Sequence, residues 1–526
     1  MNIDGKNILG GLKSAEGNTT FYAVNPYTGK KIEPAFYEAT QDEIDRAIKK
    51  SSEAFIVYRT LSGERRAQFL TSIADEITAL GDLLIDRCVE ETGLPKARIM
   101  TERARTVNQL NLFASYIKEG SWVDARIETA DPNRKPLPKS DIRSMHKALG
   151  VVGVFGSSNF PLAFSVAGGD TVSALAAGCP VVVKGHPAHP GTSELVARAI
   201  LNAIKKCDMP DGTFSMVHGQ STSVGLAIVR HPLISAVGFT GSYRGGKALF
   251  DEANSRPIPI PVYAEMSSTN PTFILPRIVK EKGNVIAKEL AASFTLGVGQ
   301  FCTNPGLVFI QNSLSANEFT ESLSKHVEET PAGVMLSAGI QNNYRQGVEK
   351  LKNVKDVDVL SRGKDSESEF QGVAYVLQSS VNNFLEHHIL EEEVFGPSTV
   401  TLMAEDKNQI ITAAKKLGGH LTATIHGTAE DLVEFAELIP ILENKVGRLI
   451  INEYPTGVEV CHSMVHGGPF PATSNSRTTS VGTSSITRFS RPVCYQNFPD
   501  VLLPDELKHS NPLGIWRLLN GERTKS

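Results

Sequence analysis

Cys302 lies in Gly297-Val-Gly-Gln-Phe-Cys-Thr-Asn-Pro-Gly306, where glycines and a proline interrupt a helix and hold the thiol on a tight loop. A loop thiol near backbone amides has a lowered pKa, and its thiolate is the nucleophile that attacks a carbonyl carbon. The competing reading is a small buried hydrophobe, the fate of most cysteines. Glu265, in Val262-Tyr-Ala-Glu-Met-Ser-Ser268, ends an apolar strand-like segment and precedes a turn of small residues. There it is either a solvated turn glutamate or, desolvated by apolar neighbours, a general base. Asn159 follows Gly156-Ser-Ser158 and precedes Phe160-Pro161 at the expected start of a helix. Its carboxamide either caps that helix or donates to a developing oxyanion.

Positioning three such groups requires a scaffold, and the apolar periodicity describes one. Amphipathic helices are expected over 41–61, 64–91 and 96–120, followed by a proline-broken polar loop around Pro132, Pro136 and Pro138. Strands are then expected at 148–155, 180–184, 214–218 and 236–240, alternating with helices at 161–177, 190–206 and 221–229. That alternation implies a parallel, doubly wound sheet, which binds ligands at the carboxyl ends of its strands. Lys184 closes one strand and Phe239-Thr-Gly-Ser242 closes another, with Gly245 and Gly246 opening the next helix. The glycines are not spaced GxGxxG, so the usual dinucleotide fingerprint is absent. A second α/β region begins near Pro261, with a helix at 285–296 and a strand at 307–310, and runs to Ile451. Beyond it, 467–472 and the Ser/Thr-rich stretch to Thr487 read as loops before a short strand at 491–495.

The chain of 526 residues is long enough for two or three domains, and 53 basic against 57 acidic residues give a net charge of −4 with no sustained basic surface. Nucleic-acid binding is therefore excluded. No apolar run approaches the roughly 20 residues of a membrane span, and the N-terminus lacks the apolar core of a signal peptide, so a cytoplasmic location is expected. The six cysteines (Cys88, Cys179, Cys207, Cys302, Cys461 and Cys494) form no CxxC pair and no zinc-like spacing, so no metal is expected.

In order along the chain, Ser158-Asn-Phe-Pro-Leu162, Val182-Val-Lys184, Phe239-Thr-Gly-Ser242, Ala264-Glu-Met266, Gly299-Gln-Phe-Cys302 and Glu392-Glu-Val-Phe-Gly-Pro397 resemble the aldehyde dehydrogenase superfamily. The resemblance implies an α/β architecture of two doubly wound domains plus a small oligomerisation β-element. It divides the chain into 1–128 with 149–263 for the dinucleotide, 264–480 for catalysis, 129–148 with 481–500 for oligomerisation, and a tail at 501–526. By the same resemblance Cys302 is the nucleophile, Glu265 the base for the deacylating water, and Asn159 with the Cys302 backbone amide the oxyanion hole. Lys184 resembles the lysine at the adenosine ribose, Gly241 and Ser242 lie in the cofactor phosphate region, and Glu393 and Phe395 resemble residues at the nicotinamide ribose. An NAD(P)-dependent oxidation of an aldehyde to an acid through a thioester follows, and the glutamate at 265 favours hydrolysis over acyl transfer to coenzyme A.

The sequence also departs from the common pattern. Many NAD-selective relatives have a glutamate three residues after the lysine, whereas Lys184-Gly-His-Pro187 has proline, so NADP is expected as cofactor with NAD also used and His186 near its phosphate. Met266-Ser267-Ser268 stands in place of the usual Leu-Gly-Gly after the base. Gly178–Ser193, Gly457–Cys461 and Arg491–Asn497 look like the group of α-ketoglutaric semialdehyde (2,5-dioxopentanoate) dehydrogenases, which yield 2-oxoglutarate. A related group oxidises long-chain fatty aldehydes, and a catalytically silent protein of the same fold is the third reading. An oxo-acid substrate requires a cation in its pocket, and Arg105, expected near Phe160 and Ala163, is the candidate, against a solvated helix residue. A homo-dimer or tetramer is implied, with the strands at 129–147 and 488–497 exchanged.

Overall fold

The computed structural model describes residues 3–525; Met1, Asn2 and Ser526, which the expected terminal ranges and the leader reading include, lie outside the described residues. The helical layer begins at Gln41–Tyr58, where Thr40 accepts from the Glu43 amide and Glu43 reaches back to Thr40, a capping box that contributes about 1 kcal/mol. The single helix expected over 64–91 is two, Gly63–Ala79 and Gly81–Thr92, because Gly81 turns at φ 55° and ends the first. Lys96–Glu119 follows as one long helix.

The first sheet runs in the order Val262–Glu265, Ile234–Thr240, Val151–Phe155, Val181–Lys184, Phe214–Val217, all parallel. Val151–Phe155 is buried at every position, as a central strand covered on both faces must be. The chain leaves it toward Val181–Lys184 on one side and returns to Ile234–Thr240 on the other, so a crevice opens at the carboxyl ends around Phe155. An antiparallel hairpin of Asn7–Leu9 and Leu12–Ser14 extends the sheet beyond Phe214–Val217. Strands of three residues carry too little periodicity to be read from sequence.

The helix expected from 161 begins instead at Gly169. Residues 160–168 form successive turns because Glu102, on Lys96–Glu119, accepts hydrogen bonds from the Leu162 and Ala163 amides and holds the segment against that helix. The second sheet, in the order Asp358–Arg362, Tyr375–Ser380, Ser398–Ala404, Leu307–Gln311, Thr272–Ile274, Thr422–His426, Arg448–Ile451, is parallel except at its first edge. The helical stretch before Cys302 spans Pro276–Thr295 but is broken at Lys282, whose φ is −133°, so the part beyond the kink agrees with the helix expected from 285 and a short helical segment precedes it.

A third sheet joins Ser490–Gln496, Ile142–Ala148, Arg126–Glu128, Arg517–Leu519 and Glu522–Thr524. The expected oligomerisation ranges leave out three of these strands, two of them in the segment read as a tail. Arg517–Leu519 pairs in parallel with Arg126–Glu128, a contact between distant parts of the chain that no local pattern announces.

Candidate active site

The Cys302 loop is shaped by backbone rather than by side-chain size. Gly297, Val298 and Gly299 take φ of 55°, 59° and 65°, three successive left-handed residues, and for Val298 that conformation is strained. A Cβ on Gly299 would sit 2.2 Å from the Gly396 carbonyl, so only glycine lets this loop pack on the 396–397 turn. The buried Asn270 Nδ2 donates to the Cys302 and Asn304 carbonyls at 2.9 Å each and clamps the loop from below.

Asn159 meets the same loop. Its Nδ2 donates to the Gln300 backbone carbonyl at 3.0 Å, and its backbone carbonyl accepts from Arg98 Nη2 at 2.7 Å. The cap alternative falls away, since the nearest helix starts ten residues later with Gly168 at its N-cap.

Glu265 ends its strand in the interior, with its side chain 1% exposed. Its Oε1 lies 2.9 Å from His466 Nε2, and the same nitrogen lies 3.5 Å from Cys302 Sγ. Ser480 donates to Glu265 Oε2 and to the His466 carbonyl. Burial drives the Glu265 carboxyl upward, but His466, Ser480 and Arg488 outweigh it and hold the group below the usual carboxylate range. The Cys302 thiol goes the other way: burial, then the carboxylates of Glu265 and Glu393, push it well above the ordinary value, with Arg105 opposing. The lowered thiol pKa expected from a loop setting is therefore corrected, because enclosure and two nearby anions act more strongly than loop amides.

His466 and Ser480 were not foreseen. Ser480 comes from the stretch read only as loop and His466 immediately precedes it; the Ser480 amide to His466 carbonyl bond (2.8 Å) and the His466 amide to Thr479 Oγ1 bond (2.8 Å) fold the two back under Glu265. The available signal was a histidine directly before the Gly467-Gly468 pair.

A cavity of about 710 Å³ has Cys302, Glu265 and Asn159 at one end, Glu393 and Phe395 on one wall, and Gly241 and Ser242 further along. Helix Tyr243–Asn254 starts on this cavity, and Ser242 Oγ already accepts from the Gly245 amide. Ser242 is thus the N-cap, and the phosphate-binding capacity belongs to the backbone amides of the first turn. Glu393 is driven by burial to a pKa of about 7, against hydrogen bonds from Ser267 and Ser268. The cavity's size, a helix N-terminus and an interior carboxylate fit a nicotinamide dinucleotide.

Lys184 lies outside that lining and donates to the Gly219 carbonyl at 2.6 Å; burial lowers it to about 8 while Glu38 opposes the shift. His186 lines the cavity, stacked on His189 at 5.2 Å. Burial, His189 and Lys184 hold it well below the ordinary histidine range, so it is neutral and offers a phosphate no positive charge.

On the other side of Cys302, Phe160 packs edge-on against Phe164 at 5.4 Å and Phe301 at 5.5 Å. The Arg105 guanidinium lies 5.1 Å from the Phe164 ring centre, and its Nη1 and Nη2 are buried with no hydrogen-bond partner among the described residues. The solvated reading of Arg105 is thereby ruled out. Ala163 is fully buried against Phe164 and Val481, so it supports this wall from behind and does not meet a ligand.

Comparison with known proteins adds four findings. Residues 12–482 match the aldehyde dehydrogenase family. The chain is 49% identical over 523 residues to α-ketoglutaric semialdehyde dehydrogenase 2 of Azospirillum brasilense, covering 99% of this chain and 100% of that one. It is 45% identical over 524 residues to α-ketoglutaric semialdehyde dehydrogenase of Acinetobacter baylyi, covering 99% of each. In fold it is similar to betaine aldehyde dehydrogenase from Staphylococcus aureus in complex with NAD+, with a TM-score of 0.80, 20% identity, and coverage of 94% of this chain and 96% of that one.

Proposed function

The chain belongs to the aldehyde dehydrogenase family, and from that premise we propose that it oxidises α-ketoglutaric semialdehyde to 2-oxoglutarate through a thioester on Cys302. The observation that carries the substrate class is the Arg105 guanidinium, buried beside Phe164 with both terminal nitrogens unpartnered. Buried guanidinium nitrogens without hydrogen-bond partners are costly even with the Glu102 carboxylate nearby, and a substrate carboxylate satisfies them with paired, charge-assisted hydrogen bonds.

In this reading Cys302 gives up its S–H proton to solvent as the thiolate forms, and His466 Nε2–H donates to Glu265 Oε1 and orients that carboxylate for the later step. The thiolate attacks the aldehyde carbon, while Asn159 Nδ2 and the Cys302 amide hold the oxyanion. The nicotinamide cofactor, when bound, supplies the hydride acceptor. Glu393 and the first turn of helix Tyr243–Asn254 hold it in the cavity, and Glu265 then takes a proton from the water that hydrolyses the thioester.

Replacing Arg105 by leucine should lower kcat/KM for the oxo-acid by about 10- to 100-fold, the loss of a hydrogen bond to a charged group. A neutral short aldehyde should change by less than about threefold. Equal losses for both would assign Arg105 to structure. The apolar surround of Phe160, Val458, Val460 and Met464 favours a second reading, a long-chain fatty aldehyde, and a higher kcat/KM for that substrate would establish it.

NAD and NADP are both proposed as cofactors, with Glu38 setting their ratio. Its carboxylate accepts from the Gln220 and Ser221 amides at 2.8 and 2.9 Å, in the turn whose Gly219 carbonyl holds Lys184. A ribose 2′-phosphate beside Lys184 meets that anion, so Glu38→Gln should raise the NADP-to-NAD ratio of binding constants by about 10-fold at low salt. An unchanged ratio would place the phosphate elsewhere.

We also propose that copies pair through the third sheet as a homo-dimer or tetramer, and that the domain divisions follow the three sheets. The six unpaired thiols fit a reducing cytoplasm, and no described helix is long and apolar enough to cross a membrane.

A further inference from the structure

Cys302 Sγ, His466 Nε2 and Glu265 Oε1 serve the proposed reaction, but their arrangement meets another requirement. These three atoms lie within 4.8 Å of one another, which makes them a sulfur, nitrogen and oxygen donor set on one point. Tetrahedral zinc has bonds of about 2.3 Å to thiolate sulfur and about 2.0 Å to imidazole nitrogen, which together require a sulfur–nitrogen separation of about 3.5 Å. The observed separation is 3.5 Å. The carboxylate oxygen, 2.9 Å from the imidazole nitrogen and within 4.8 Å of the sulfur, reaches the tetrahedral spacings of about 3.3 and about 3.5 Å by a swing of the Glu265 side chain. Two of the three ligands, Cys302 and Glu265, line the cavity, so the fourth position opens toward it and a water molecule can fill it.

We propose that Cys302, His466 and Glu265 form a three-ligand site for a borderline-soft divalent cation of the Zn2+ class, and that its occupation reversibly silences the enzyme. Three protein ligands of mixed S, N and O type with an open fourth position suit zinc, while the thiolate disfavours magnesium and calcium. Binding replaces the Cys302 S–H bond by a sulfur–metal bond and releases that proton to solvent, with no change of oxidation state, so affinity rises with pH. Occupation removes the nucleophile and the base at one stroke. His466 Nδ1 has no hydrogen-bond partner among the described residues, and a metal-bound imidazole without that support binds about 10- to 100-fold more weakly than one with it. The site is therefore one that a chelator empties.

The test uses Co2+ as the probe on the full-length protein. Expected are one cobalt per chain with a sulfur-to-cobalt charge-transfer band, loss of the band in Cys302→Ala, and at least about 10-fold weaker binding in His466→Phe. Should that variant not fold, Glu265→Gln is expected to weaken binding in the same sense. Zn2+ should displace the cobalt band and inhibit aldehyde oxidation, and EDTA should restore it. A band that persists in Cys302→Ala, or cobalt bound as tightly by His466→Phe as by wild type, would overturn the proposal. The spectra do not depend on turnover, so a protein that shows them while oxidising no aldehyde keeps the metal site and loses the function proposed above.

Discussion

Cys302→Ala is expected to lower kcat/KM for every aldehyde by at least about 10⁴-fold while leaving cofactor binding within about threefold of wild type. Removing the nucleophile of a covalent mechanism leaves only binding and oxyanion stabilisation, which do not form the acyl-enzyme. The thiol contributes little to packing, because its loop is held by Asn270, by Gly299 against Gly396 and by Gln300, none of which uses the sulfur. A fold collapse is therefore not expected, and a thermal melt within a few degrees of wild type separates chemistry from stability. The pH dependence follows from the same site. Burial and two carboxylates raise the resting thiol above its ordinary pKa, so the thiolate fraction grows as pH rises, and kcat/KM should climb toward alkaline pH. A Cys302→Ala protein with wild-type turnover would remove the thioester from the account, and a wild-type protein that oxidises no aldehyde would leave a catalytically silent fold.

Glu265→Gln should lower kcat by about 10²- to 10⁴-fold, the range for loss of a general base. The amide keeps the shape and a contact for Ser480 but cannot take a proton from water. Glu265 sits below the usual carboxylate range despite being buried, since His466, Ser480 and Arg488 stabilise its anion. It is thus ionised across neutral pH and should contribute no limb to the pH profile there. Because its task comes after the thioester has formed, the variant should still release about one equivalent of reduced cofactor per site in a burst, followed by slow turnover. An equal loss in burst and steady state would place Glu265 in the first half-reaction rather than as base for water.

Sequence reading reached the sheet that carries this site because Val151–Phe155 and Val181–Lys184 are apolar runs punctuated by helices, a local pattern with few other solutions. It singled out Cys302, Glu265 and Asn159 as candidates because each sits at a break between elements, where a strand end or a glycine turn marks a change of direction, and the family resemblance supplied their roles. It missed His466, which lies 164 residues from Cys302 and arrives through side-chain bonds to Thr479 and Ser480 that follow no period. The same limit explains the turns at 160–168, set by Glu102 from another helix, and the tail strand Arg517–Leu519, which completes a sheet with Arg126–Glu128. Electrostatics were least legible. The raised Cys302 and the neutral His186 depend on burial and on charges from several elements, and no local motif encodes either.

The most direct measurement is intact-protein mass spectrometry of Glu265→Gln after mixing with NAD and α-ketoglutaric semialdehyde, followed by peptide mapping. The expected result is one acyl group per chain, carried by Cys302 and formed in step with the burst of reduced cofactor. Reduced cofactor appearing without an adduct, or an adduct mapped to Cys207, Cys461 or any other residue, would contradict the account.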